Sequence, residues 1–193
     1  MAGVRCFADG ISRGRNAVIE YLQRMARYNR WMNRKLFEKT ALLPPEVIRK
    51  DRGAFFGSLL GTLNHIMVAE LIWLRRFAAH KDCKASLAGL AGFPVPESLR
   101  DILFHDFADF ATAREHLDTL ILDFSRTWTD EMLATPVRYR NMAGEKHEHE
   151  LGPLLQHFFN HQTHHRGQAT TLLFQAGIDP GSTDLFVMLM EES

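Results

Sequence analysis

The sequence predicts an all-α fold, a four-helix bundle with a minor extended segment, on three observations. Four long stretches repeat apolar residues at the three- and four-residue spacings of a helix with one buried face. Connectors rich in Pro, Gly or polar residues separate them. Only one stretch, Thr135 to Asn141, reads as a short strand or extended arm, and so few residues cannot build a sheet core.

The first helix is expected from about Asn16, a plausible cap, to Leu43, with Ile19, Leu22, Met25, Ala26, Met32 and Leu36 on its apolar side. Pro44-Pro45 should end it, because proline lacks the donor a helix interior needs. The second runs from Ser58, an N-cap candidate, to about Ala79. Leu59, Leu63, Ile66, Trp73 and Phe77 share one side with Glu70, a carboxylate that would need a partner if buried. Ser58, Thr62, His65 and Ala69 share the other, less oily side, so periodicity alone does not place His65 at a bundle centre.

A connector over residues 80–97 leads to Ser98-Leu99-Arg100-Asp101, which approximates a capping box and predicts a third helix from there to about Phe124. A turn is expected at Gly144. The fourth helix should span Leu151 to Gln175 with Gly177 ending it, and Thr183 to Met190 should form a short last helix.

The 193 residues suit one domain with a sizeable core. Residues 1–15, interrupted by Gly, Asp and Ser, are expected as a loose arm, and 16–193 as a single helical domain. Lys plus Arg and Asp plus Glu both number 23, a balance that offers no platform for nucleic acid or an acidic membrane. No apolar run is long enough to span a bilayer, and the start of the chain lacks the apolar core of a secretion signal. The expected compartment is the cytoplasm. Cys6 and Cys83 form no CxxC pattern, and neither is an attractive nucleophile in an arm or a connector.

The stretch from His157 to Gln168 carries the chemistry. His161 and His165 lie one helical turn apart, close enough for their imidazoles to meet at one metal ion. His157 and His161 have the same spacing, so the spacing leaves a choice. On a helical wheel the apolar stripe contains Leu151, Leu154, Phe158, Ala169 and Leu172. His165 falls inside the stripe, His161 at its edge, and His157 and His164 farther toward solvent, which favours the pair 161/165. Core-edge or surface histidines remain the competing reading at this point. Zinc-peptidase, zinc-finger, EF-hand, phosphate-loop and nucleophile-elbow patterns are absent.

Three blocks taken together resemble the DinB-like family of damage-inducible bacterial proteins. They are Tyr28-Asn29-Arg30-Trp31-Met32-Asn33, Leu63-Asn64-His65-Ile66 with Glu70 and Trp73, and Asn160 to Gln168 followed by Leu172-Leu173 and Gly177. The resemblance covers most of the chain from about residue 20. It implies a bundle of up-down-down-up order and one divalent metal ion held by three histidines, which carry over to His65, His161 and His165. It also turns the small-residue face around His65 toward the site. Asn64 and Asn160, each just before a ligand, are expected in local hydrogen bonds, and Glu70 and Trp73 in structural roles.

The implied function is that of a metal-dependent enzyme, a thiol S-transferase, isomerase or hydrolase acting on small molecules with a low-molecular-weight thiol or water. The alternative is a non-catalytic stress or sensor protein with a structural metal. Zinc or nickel is the expected ion, with iron also suited to imidazole. His164 and His157 are candidates for moving a proton, and Arg166 for holding an anionic group or pinning the adjacent segment. A homodimer is the expected assembly.

Overall fold

The computed structural model describes the backbone from Arg5 to Ser193 and side chains from Ala17 onward. The arm expected over residues 1–15, with Cys6, and the cap expected at Asn16 lie outside the residues whose side chains are described. The fold is all-α with a helical bundle core. Its four long helices are α1 (Arg5–Thr40), α3 (Leu59–Ala78), α4 (Phe107–Ser125) and α6 (Leu151–Gln175). Helix α1 packs against both α4 and α6, and α6 packs against α3. Short helices α2 (Pro45–Arg49) and α5 (Asp130–Leu133) lie in the connections, and α7 (Leu185–Glu191) follows α6 and packs on α1. No helix among the described residues is long and apolar enough to cross a membrane.

The proline pair acts earlier than expected. Helix α1 stops at Thr40, residues 41–43 turn, and Pro44, itself before a proline, is extended (ψ 147°). Pro45 then serves as the first residue of α2, where its missing donor costs nothing. Ser58 caps α3 as expected, its hydroxyl accepting from the Gly61 amide at 3.0 Å. Gly61 has no room for a Cβ, which would overlap the Phe56 carbonyl oxygen. That close approach presses the Phe55-Phe56 turn onto the first turn of α3.

The third long helix starts later than the capping signal at Ser98. The signal makes real hydrogen bonds: Asp101 Oδ2 accepts from the amides of Glu97 (2.7 Å) and Ser98 (3.0 Å). No helix follows, because the loop backbone is engaged elsewhere. Leu99 O lies 2.8 Å from His65 Nδ1, and Asn64 holds Phe104 through both its amide N–H (3.0 Å) and its carbonyl (3.1 Å). The helix begins instead at Phe107, capped by Asp106, whose carboxylate accepts from the amides of Ala108 and Asp109.

The extended segment is a hairpin. Strand β1 (Pro136–Arg140) pairs antiparallel with β2 (Lys146–Glu150), Pro136 opposite Glu150 and Arg140 opposite Lys146, around a turn with Gly144 at φ 83°. Val137 is buried, and Tyr139 on the same side reaches Trp73 of α3. Helix α6 ends as expected, with Gly177 at φ 86° and the Ile178 amide bonded to Leu173 O.

A buried ionic network crosses the middle of the bundle. Glu70 on α3, fully buried, accepts from Asn29 Nδ2 at 3.1 Å and pairs with Arg114 on α4. Arg114 also pairs with Asp118 at 2.9 Å, and Asp118 accepts from Asn33 Nδ2 at 2.9 Å. Arg166 on α6 donates to Asn29 Oδ1 and to Thr163 Oγ1. Two buried carboxylates therefore face two buried guanidiniums, with the asparagines of α1 between them. Desolvation opposes each charge, and only such mutual pairing makes their burial tolerable.

Candidate metal centre

His65 sits in the middle of α3, and His161 and His165 one turn apart on α6, the helix packed against it. One ring nitrogen of each lies within 4.8 Å of those of the other two. His165 Nε2 is 3.2 Å from His65 Nε2 and 3.1 Å from His161 Nε2. Nitrogens that share a zinc ion at about 2.0–2.1 Å stand roughly 3–3.5 Å apart, so the spacing fits a single ion.

The protons reinforce that fit. Leu99 O can only accept, so His65 Nδ1 must donate to it, leaving a lone pair on Nε2. His165 Nδ1 lies 2.8 Å from Gln168 Oε1, while Gln168 Nε2 faces His164 at 3.4 Å. With that amide orientation His165 also carries its proton on Nδ1. Two lone pairs then face one another across 3.2 Å, an arrangement that calls for a cation between them. A proton is disfavoured in that role. Burial, then the neighbouring histidines, lowers the pKa of His161 to about 3, and burial lowers those of His65 and His165.

Packing fixes the rings. Phe56, delivered by the turn that Gly61 admits, stacks on His65 with centroids 3.7 Å apart and meets His165 edge-on at 5.6 Å. His65 and His165 are buried and His161 is half-buried. Thr62 and Ala69 are buried, and the Thr62 hydroxyl donates to Ser58 O. Phe55 and Leu99 are 69 % and 44 % exposed; the Phe55 ring packs edge-on against Phe56, and the backbone carbonyl of Leu99 reaches His65.

The other candidates divide between the two sides of α6. His157 is exposed, with its ring 6.0 Å from that of His161 and 5.1 Å from that of Trp73. Partial desolvation, then the charge of Arg76, lowers its pKa and keeps it neutral. His164 is exposed, 4.8 Å ring to ring from His165. Arg166 is turned the other way, 2 % exposed inside the ionic network and over the Tyr28 ring. It pins α6 to α1 and is not placed to hold a substrate anion. Asn64 anchors the loop carrying Leu99, whereas Asn160 is exposed. Cys83 is fully buried, its thiol pushed up to about 11 by desolvation.

Sequence reasoning missed Arg114 and Asp118. Their signal was an Arg and an Asp four residues apart on the face that also carries Phe110, Leu117 and Ile121. It missed Gln168 as a partner of His165 and Leu99 as a partner of His65. A groove of about 900 Å³ between α1 and α4 contains none of the three histidines, so cavity size does not mark this centre.

The comparisons with known proteins agree with this geometry. The chain is 26% identical over 170 residues to Protein DinB of Bacillus subtilis (strain 168), covering 86% of this chain and 91% of that one. A crystal structure of a DinB-like protein from Bacillus cereus shares the fold with TM-score 0.53 at 20% identity, over 78% of this chain and 89% of that chain. The profile of the DinB family matches residues 16–192, a span that includes α3, α4, α6 and α1 from residue 16 onward, the three histidines and the loop that orients His65. On that match the chain belongs to the DinB family.

Proposed function

We propose that this chain is a metal-dependent enzyme in which His65, His161 and His165 hold one divalent ion, zinc or nickel, and a small-molecule thiol or water attacks an electrophilic substrate. The observation that supports it is the convergence of three Nε2 atoms, two of them with Nδ1 committed to fixed acceptors. Three neutral ligands leave the charge of an ion uncompensated, and no carboxylate or thiol among the described residues joins the cluster. Such an ion supplies Lewis-acid stabilisation and lowers the pKa of a thiol or water.

The protein's own part is positional. His65 and His165 are locked by Leu99 and Gln168, and Phe56 shields their rings. His157, neutral and beside His161, and His164, beside His165, are the groups placed to accept a proton from an arriving nucleophile. The exposed Phe55 ring, packed on the Phe56 that covers His65, suits a small organic substrate. A purely structural metal is less well supported, because the buried chain Glu70–Asn29–Arg166 already ties α3 to α6 by way of α1 without it. The up-down-down-up helix order expected from the resemblance goes with this reading.

Cobalt-substituted protein tests it. Small thiols should perturb the cobalt ligand-field spectrum, and metal-loaded protein should turn over an electrophile in a panel offered with thiols or water. A cobalt spectrum that no thiol and no exchangeable water alters would leave the structural-metal reading in its place.

A further inference from the structure

The charges around the three histidines share one sign. Beyond burial and the hydrogen bonds to Leu99 O and Gln168, the groups that act on His65, His161 and His165 are Arg100 and neighbouring histidines, so that the one fixed charge among them is the positive charge of Arg100 and none is a carboxylate. His157 extends the pattern, since its charged neighbour is Arg76.

Arg76 lies in the last turn of α3. Its guanidinium carbon stands 4.6 Å from the Trp73 ring centre and 5.0 Å from the Tyr139 ring centre. Those faces hold the cation but accept no hydrogen bond in the plane of the guanidinium, where its five N–H groups point. Among the described residues no carboxylate or carbonyl accepts from it. Several other arginines are engaged, while Arg24 on α1 also keeps a buried Nε without an acceptor. Arg75 donates to the carbonyls of Leu90, Phe93 and Pro94, Arg166 to Asn29, and Arg100 to Phe55 O. Arg76 is half-buried, and burial lowers its pKa against the opposing influence of Tyr139, with no carboxylate acting on it.

Its position connects it to the metal centre. The rings of His161 and His157 are 6.0 Å apart, those of His157 and Trp73 5.1 Å, and those of Trp73 and Tyr139 5.2 Å. A continuous aromatic wall therefore runs from the three histidines to the guanidinium, closed at the far end by the β1–β2 hairpin that carries Tyr139. We propose that Arg76, held over Trp73 and Tyr139, is the anion-recognition residue of this centre, receiving the carboxylate of a small acid whose other end reaches the three-histidine site. The inference rests on the open-centre reading above and names its substrate class. A guanidinium suits the task because it grips a carboxylate through two parallel hydrogen bonds. The hairpin, which the metal ligands themselves do not need, gains a purpose as the wall that aims Arg76.

The test uses full-length cobalt-substituted protein titrated with ω-mercapto acids of increasing length and with the matching ω-mercapto alcohols. The thiol end reports on the metal through the cobalt spectrum, and the carboxylate end reports on Arg76. Wild-type protein should prefer the acid over the alcohol at the chain length that spans the wall. Arg76→Gln should weaken binding of that acid roughly tenfold or more, the usual worth of a charged hydrogen bond, and leave the alcohol unchanged. Arg76→Lys, which keeps the charge without the fork, should fall between. Metal content and thermal midpoint, measured on each variant, separate this from loss of the hairpin, which would weaken acid and alcohol alike. Alcohols that bind cobalt as well as acids at every length, or an acid preference that survives in Arg76→Gln, would overturn the role of Arg76 and leave the open centre standing. Neither ligand reaching cobalt would overturn the open centre and this inference with it.

Discussion

His65 gives its Nδ1 proton to the carbonyl oxygen of Leu99 at 2.8 Å, a bond that spans 34 residues of chain. A loop backbone, and not a side chain, therefore sets which nitrogen of His65 is free. The amide of Gln168 does the same for His165 from within α6. The two histidines are oriented by different means, and the predictions below depend on that difference.

Replacing His161 with Ala should abolish stoichiometric metal retention, whereas His164→Ala should retain it. Gln168→Leu, which removes the acceptor of His165, should weaken affinity about 10–100-fold while leaving all three ligands present. Metal content after chelation and controlled reloading, with chelator competition for the affinity, checks all three. Equal retention by the His161 and His164 variants would remove His161 from the ligand set.

Acid should destabilise the metal-free protein partly through His161. Its pKa is lowered from 6.5 to about 3, by burial first, so between those values the unfolded chain binds a proton that the native state does not. Stability from this source is present above 6.5 and is lost as pH falls toward 3. Asp118 works in the opposite sense, its carboxyl raised from 3.8 to about 6 by burial, so its contribution weakens as pH rises through that interval. Comparing metal-free wild type with His161→Asn cancels the Asp118 term. Denaturant unfolding across the window should show the shallower pH slope in the variant; identical slopes would mean that His161 is not held neutral in the fold.

Arg114→Met should destabilise the bundle by about 3–5 kcal/mol, because it strands Glu70 and Asp118 in the core without their cation. Replacing all three with apolar residues of similar volume should recover much of that loss. Urea unfolding of the single and triple variants measures both, and a single-variant loss under about 1 kcal/mol would mean water reaches the network.

The fold and the candidate site were unequally legible in the sequence. Helix α6 could be read at both ends, since its apolar stripe is sustained and Gly177 supplies the positive φ that ends it. Ser58 announced α3 for the same local reason. The Ser98–Asp101 box misled because its hydrogen bonds form in a loop as readily as in a helix, and long-range ties to His65 and Asn64 decided between them. His65 could not be placed by periodicity because α3 is buried on nearly every side, leaving no oily face to contrast with a polar one. Only the family resemblance supplied it. Arg114 and Asp118 escaped notice since charges are ordinarily solvated, and only their partners on two other helices reveal that they are not.

The buried charges joining α1, α3, α4 and α6 give the architecture a keyed alignment that owes nothing to an ion. Shape and chemistry are thereby inherited on separate terms. A lineage that exchanges His161 or reshapes the loop at Leu99 alters what the centre does without forfeiting the frame that displays it. One that loses Arg114 or Glu70 first has to rebuild the frame. Divergence among descendants of such a chain is therefore channelled to the histidine end, where the ligands can change at little cost to folding.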